Sequence, residues 1–176
     1  MLIRRALPAD AFAIADIYHW YAVHTAIIFA EEGPSADAFA LRIADARYPF
    51  LVAVEDGQII GFAYAGEFRE KDAYRWDVEM TIYLRPGAEG HGTGRLLMDE
   101  CLRLLTLQGY LNAYSCITLP NERSIGLHQR CGFRSLGSFP HTGYKLGKWH
   151  DVIWMWKELG SFDGVPAKPR PVTDVI

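Results

Sequence analysis

Trp76–Gln108, WDVEMTIYLRPGAEGHGTGRLLMDECLRLLTLQ, is the stretch on which the reading of the chain turns. Trp76, Val78, Met80, Ile82 and Leu84 alternate with Asp77, Glu79, Thr81 and Tyr83, the period-two pattern of a strand with one apolar face. Pro86 and Gly87 end that strand, because proline offers no ladder N–H and glycine tolerates positive φ. Gly90, Gly92 and Gly94 follow, and then Leu96, Leu97, Cys101, Leu104 and Leu105 recur at helical spacing. A bare backbone ahead of a helix leaves N–H groups pointing outward, and the positive end of the helix dipole adds to them. The unit is therefore expected to hold an anion, a diphosphate in particular. It lacks the Lys-Ser/Thr ending of a nucleoside-triphosphate loop, and its evenly spaced glycines do not keep the GxGxxG pattern of a dinucleotide fold.

Toward the N-terminus, Met1–Arg5 is predicted as a short strand, and Pro8 starts an amphipathic helix reaching about His24. Thr25–Pro34 is an apolar loop that either crosses the core or walls a substrate site. Ser35 caps a second helix through Arg47. Phe50–Glu55 and Gln58–Glu67 read as a hairpin about Asp56-Gly57, followed by a polar loop, Phe68–Arg75. Toward the C-terminus, Gly109 caps the long helix. A strand over Leu111–Leu119 follows, then a short helix through Arg130 capped by Asn121 or Ser124. Gly132–Phe139 reads as a strand, His141–Lys148 as a loop and Asp151–Leu159 as the last strand. Such alternation implies an α/β or α+β layer fold with a mixed sheet. Residues 1–160 are expected to form one domain, and residues 161–176, with Pro166, Pro169 and Pro171, an extended tail.

Bulk properties exclude several function classes. Half of the 176 residues are hydrophobic and 22% are charged, as in a soluble globular domain. A net charge of −3 offers no basic field for nucleic acid. Three cysteines without a CxxC pair argue against a disulfide framework and fit a reducing cytoplasm. The N-terminus carries no long apolar run, so neither a signal peptide nor a membrane span is expected. His19 and His24 miss the i, i+4 face and no HExxH occurs, so no metal is expected.

Glu79 shares its strand face with Asp77, Thr81 and Tyr83 and is either a solvated acid or a base beside a cleft. Followed by Glu89-Gly90-His91-Gly92-Thr93-Gly94, it resembles the Q/R-x-x-G-x-G/A acyl-CoA loop of the GNAT N-acetyltransferases. Glu89 stands where the family usually has Gln or Arg, and Gly90 where it often has Arg or Lys; Arg95 offers a replacement charge. The segment LPNERSIGLHQRCGF, 119–133, resembles the family's N-x-x-A/S-x-x-L-Y/H-x-x-x-G-F. FREKDAYRWDVEMTIYL, GYKLGKWHDV and the terminal PRPVTDVI extend the resemblance over almost the whole chain and narrow it to the phosphinothricin and methionine sulfoximine branch.

The resemblance implies a mixed, mostly antiparallel twisted sheet flanked by helices and splayed between its two central strands. It implies acetyl-CoA as co-substrate. The diphosphate would lie on Gly90, His91, Gly92, Thr93, Gly94 and Arg95, and the pantetheine arm along Ile82, Tyr83 and Leu84. Asn121 would serve the cofactor's amide arm, although a helix cap is an equally good role for it. Glu79 and His128 would be the catalytic pair, Glu79 taking the amine proton and His128 protonating the departing thiolate. Arg69 and Lys71 would meet a substrate carboxylate, with Tyr74 beside them and Ile27, Phe29 and Tyr74 shaping the choice of amine; an ordinary charged loop is the alternative for Arg69, Lys71 and Tyr74. Lys71 stands where the family commonly has Arg. The substrate would be a small glutamate-like or methionine-derived amino acid, or another small amine, and the protein a cytoplasmic homodimer without nucleic-acid or membrane partners. A non-catalytic acyl-CoA sensor would keep the glycine loop without the acid/base pair. A hydrolase would instead use Cys131 with His128 at i, i+3.

Overall fold

In chain order the elements are β1 (Leu2–Arg5), α1 (Ala11–His24), α2 (Ala36–Ala44), β2 (Phe50–Glu55), β3 (Gln58–Glu67) and β4 (Asp77–Leu84). They continue with α3 (Thr93–Gln108), β5 (Asn112–Thr118), α4 (Glu122–Arg130), β6 (Arg134–Lys145) and β7 (Lys148–Glu158). The computed structural model describes residues 1–176. One seven-stranded sheet has the order β1-β2-β3-β4-β5-β7-β6. Every neighbouring pair is antiparallel except β4–β5, which α3 joins as a parallel crossover.

Two apolar layers enclose the sheet. Leu97, Met98, Cys101, Leu104 and Leu105 of α3 pack against Leu51, Ala63, Val78 and Met80 on one face. Ile14 and Ile17 of α1 and Phe39 of α2 pack against Phe50, Val52 and Phe62 on the other. The apolar side of β4 thus faces α3, and Glu79, Thr81 and Tyr83 point to the α1–α2 side.

Two expectations require correction. The second helix stops at Ala44, where Asp45 turns extended and its carboxylate takes the guanidinium of Arg47 at 2.8 Å. Segment 141–148 is no loop: β6 runs to Lys145 and β7 starts at Lys148. The strands meet in a two-residue turn, Leu146-Gly147, with φ of 50° and 78°. Leucine seldom adopts a positive φ, so its presence conceals the turn in the sequence. Because β7 inserts between β5 and β6, the edge strand opposite β1 is β6, not the last one in the chain.

The C-terminal segment lies along the body. Val172 is fully buried, and its N–H donates to Ala46 O at 2.7 Å. The buried Gln108 amide donates to Arg47 O and Arg170 O at 2.8 and 2.7 Å, tying the tail to the turn after α2. Trp76 donates its indole N–H to Ala167 O at 2.7 Å.

Candidate active site

The parallel ladder between β4 and β5 covers only Asp77–Asn112, Val78–Ala113 and Glu79–Tyr114. Beyond Glu79 the strands diverge and open a cleft of about 300 Å³. The period of two decides what the main chain presents there. Arg85 donates its N–H to Ile60 O on β3, so alternate residues Met80, Ile82 and Leu84 turn their main chain away from β3 and toward the cleft. Two of these carbonyls already accept side-chain donors: Met80 O from Ser115 Oγ at 3.5 Å and Leu84 O from the Tyr21 hydroxyl at 3.0 Å. Ile82 keeps its edge free for an incoming extended ligand.

The glycine loop runs beside the same strand: a Cβ on Gly94 would lie within 4 Å of the Ile82 and Leu84 side chains. Gly90 and Gly92 have φ of 91° and 84°, left-handed values that carry a steric cost for any residue with a Cβ. Gly92 is the N-cap of α3, and the first helical bond runs from Leu96 N–H to Gly92 O at 3.1 Å. The backbone N–H groups of Gly90, His91, Gly92, Thr93, Gly94 and Arg95 have no acceptor within the protein. Six unpaired donors at a helix N-terminus match the acceptor-rich, anionic character of a diphosphate. Gly94 serves packing instead, since a Cβ there would come within 3.2 Å of Leu127; its bareness lets α3 approach α4.

Two charged neighbours behave unlike the sequence expectation. The Arg95 guanidinium does not strengthen the loop. It pairs with Asp99 at 2.6 Å and donates to Arg130 O at 2.9 Å, which leaves its main-chain N–H as its contribution. Glu89 accepts the Gly87 N–H at 2.8 Å and so buttresses the turn ahead of the loop.

Glu79 and His128 open onto the same cleft from opposite walls. The Glu79 carboxyl is held by no hydrogen bond within the protein. Burial pushes it above the usual carboxylate pKa, and the nearby positive charge of Arg69 pulls it partly back. His128 is only 2% exposed. Its Nδ1 lies 2.8 Å from Ser124 O, and because a carbonyl only accepts, Nδ1 carries the proton. Nε2 is therefore the lone-pair nitrogen. Burial holds the imidazole pKa below its ordinary value, so the ring is neutral near pH 7. Asn121 caps α4 by accepting the Ser124 N–H at 3.2 Å, and it also lines the cleft.

The structure divides the residues expected on the amine side. Phe29 lines the cleft. Arg69 packs its guanidinium over Phe68 at 4.6 Å, close enough to Glu79 to influence its titration. Lys71 is exposed, and Tyr74 packs edge-on to Phe68 at 6.2 Å; none of Arg69, Lys71 and Tyr74 lines the cleft. Tyr18, Tyr64, Cys116 and Thr118 complete the wall, and sequence reasoning does not single them out. Tyr64 stands opposite Thr81 in the β3–β4 register, and only the register reveals that placement. Burial and Glu79 push the Cys116 thiol up to about 11. Cys131 is buried and its thiol pKa raised, the opposite of what an activated nucleophile requires, which removes the basis for a Cys131–His128 hydrolase.

Comparison with known proteins agrees with this geometry. The acetyltransferase (GNAT) domain family matches residues 3–154. The chain is 36% identical to the phosphinothricin N-acetyltransferase of Streptomyces viridochromogenes over 175 residues, 98% of this chain and 93% of that protein. It is 34% identical to the L-methionine sulfoximine/L-methionine sulfone acetyltransferase of Salmonella typhimurium, covering 90% and 95% of the two chains. Among solved structures it superposes on a phosphinothricin acetyltransferase from Sinorhizobium meliloti in complex with acetyl-CoA. That match has a TM-score of 0.90 at 35% identity and covers 94% of this chain and 92% of the other. The splayed sheet, the glycine loop and the extent of these matches place the chain in the GNAT acetyltransferase family.

Proposed function

We propose that the protein transfers the acetyl group of acetyl-CoA to the α-amino group of a small glutamate-like or methionine-derived amino acid, such as phosphinothricin or methionine sulfoximine. Transfer is direct, with both substrates bound. The observation that carries this reading is the shared cleft: Glu79 and His128 open onto one gap in the sheet, and the loop of unpaired N–H groups packs beside Ile82 of the same strand. The names of the relatives supply the substrate class.

The N–H groups of residues 90–95 receive the diphosphate, and the free edge of Ile82 pairs with the pantetheine amides like an added strand. Tyr83 and Leu84 continue that strand, and Asn121 borders the arm. On the other side of the cleft, Phe29 packs against the amine's side chain. Arg69 is the cation nearest the reacting centre and meets the substrate carboxylate, with Lys71 and Tyr74 at the outer rim.

The chemistry moves two protons. Glu79, with its raised pKa, takes the first from the ammonium and leaves a neutral amine. The amine nitrogen attacks the thioester carbonyl, a C–N bond forms, and the C–S bond breaks with its electron pair on sulfur. His128 Nε2 accepts the second proton as the amide forms, and the resulting imidazolium returns it to the thiolate. The tautomer set by Ser124 requires this order: His128 accepts before it donates. Orientation of two bound reactants supplies much of the rate. The working unit is a cytoplasmic homodimer, with the exposed apolar side chains Phe139, Tyr144 and Trp149 of the β6–β7 hairpin at the contact.

Incubation with acetyl-CoA and a panel of phosphinothricin, methionine sulfoximine, methionine sulfone and small amines tests the assignment. Stoichiometric release of free thiol with an N-acetylated product, identified by mass spectrometry, is the expected result. Calorimetric binding of acetyl-CoA with no thiol release for any amine would identify a non-catalytic sensor instead.

A further inference from the structure

The amine-side wall is built from Ile27, Ile28, Phe29 and Ala30, in the loop between α1 and α2. Part of this loop is held from a distant strand. Lys145, the last residue of β6, is 8% exposed, and its ammonium reaches into the loop. Its Nζ donates to Ala22 O, to Ile28 O at 2.6 Å and to Ala30 O at 2.7 Å. Three donors meet three carbonyls; no carboxylate pairs directly with the ammonium, and Glu31 acts on it through its charge alone. Ala22 belongs to the last turn of α1, whose carbonyls have no helical partner and lie at the negative end of the dipole. One ammonium thus caps α1 and fixes the loop that follows it.

Nearby contacts serve the same loop. Thr118 Oγ1 donates to Ile27 O at 3.3 Å across the cleft. His150 Nε2 lies 3.0 Å from Lys145 O, and its ring lies 6.2 Å from that of Phe29. Gly143, two residues before Lys145, provides room for Phe29: a Cβ there would fall 2.3 Å from the phenyl ring.

We propose that Lys145 is a positioning residue for amine selection: by holding the carbonyls of Ala22, Ile28 and Ala30 it sets the wall formed by residues 27–30, while Gly143 sets how far Phe29 withdraws. The wall determines which side chain of an amino-acid substrate fits beside Glu79. This rests on the amine-side assignment made above.

The test compares Lys145→Met and Gly143→Ala with the wild type in steady-state kinetics over amines of increasing side-chain size. Lys145→Met strands the buried carbonyls of Ala22 and Ile28 and the half-buried one of Ala30, so the KM for the preferred amine rises about tenfold. The KM for acetyl-CoA is unchanged, and the preference between small and large amines is lost. Hydrogen exchange quickens at residues 26–30 and not in α3. Gly143→Ala, with the ammonium bridge intact, displaces Phe29 and produces the same split between the two KM values. If Lys145→Met fails to fold, Gly143→Ala and the exchange pattern of its loop decide. An unchanged amine KM and size preference in the folded variants, or an equal loss in both KM values, overturns the inference. A wild type that acetylates no amine overturns the functional reading instead; the exchange comparison still decides whether Lys145 orders the loop.

Discussion

The two sides of the cleft offer a ligand different kinds of surface. The glycine-loop side is almost wholly main chain: six N–H groups without acceptors and the open edge of Ile82. The opposite side is side chain: Tyr64, Glu79 and Cys116 from β3, β4 and β5, and Phe29 from a loop that Lys145 bonds from β6. A common co-substrate needs no variable side chain, so backbone geometry suffices for it, and that geometry is local. An amine selected by shape needs a wall assembled from segments far apart in the chain.

That contrast can be broken or sharpened by substitution, beginning with the largest expected effect. Glu79→Gln removes the proposed base and is expected to lower turnover by about 10²–10⁴-fold. Acetyl-CoA affinity measured by calorimetry stays at the wild-type value, because the glycine loop is untouched. The same substitution raises the melting temperature at pH 7. A carboxyl whose folded pKa lies above its reference value of 4.5 contributes stability below that pH and loses it as pH rises through the folded pKa. At pH 7 the buried charge is a burden that Gln lacks, whereas at pH 4 the gain disappears.

Gly92→Ala attacks the other side. Nothing crowds a Cβ at this position, so the cost is the φ of 84° alone. A left-handed non-glycine residue costs roughly 1–2 kcal/mol, which weakens acetyl-CoA binding about tenfold if the loop relaxes to escape it. The amine KM extrapolated to saturating acetyl-CoA does not change. A variant that lost amine affinity equally would show that the two sides are not separable.

Arg69→Gln raises the amine KM by about three- to tenfold through loss of a charge-assisted contact. It also moves the acidic limb of the kcat/KM profile to higher pH, because the Arg69 charge holds the Glu79 pKa down. An unmoved limb would assign that limb to another group. The smallest effect is expected for Arg95→Ala. Its ion pair with Asp99 is surface-exposed, with side chains 47% and 45% accessible, and water and salt screen such pairs. Acetyl-CoA affinity should remain at the wild-type value, since the main-chain N–H of residue 95 persists; a large drop would return the guanidinium to the anion site.

Legibility in the sequence follows the same division. The strand, turn and helix from Asp77 to Gln108 are readable because each signal is local: a period of two, a proline stop, glycines and a period near four. Asp56-Gly57 and the Asn121 cap are readable for the same reason. The hairpin at Leu146-Gly147 is not, because leucine is a poor signal for a left-handed turn, and the strand pairing around it compensates for the strain. Arg95 misleads because its position at a helix start says nothing of Asp99 and Arg130 O, which capture its side chain. Proximity in the chain groups Lys71 and Tyr74 with Arg69, but the fold brings only Arg69 near Glu79.

By itself the sequence determined where the backbone is bare, which strand carries Glu79 and which helix carries His128, since dihedral preference and periodicity act between near neighbours. The tertiary structure alone decided that β4 and β5 separate after Glu79, that burial holds the His128 imidazole below its ordinary pKa, and that a lysine from β6 donates to the carbonyls on either side of Phe29. Those features depend on burial and on contacts between segments distant in sequence, and no local pattern encodes the packing that creates them.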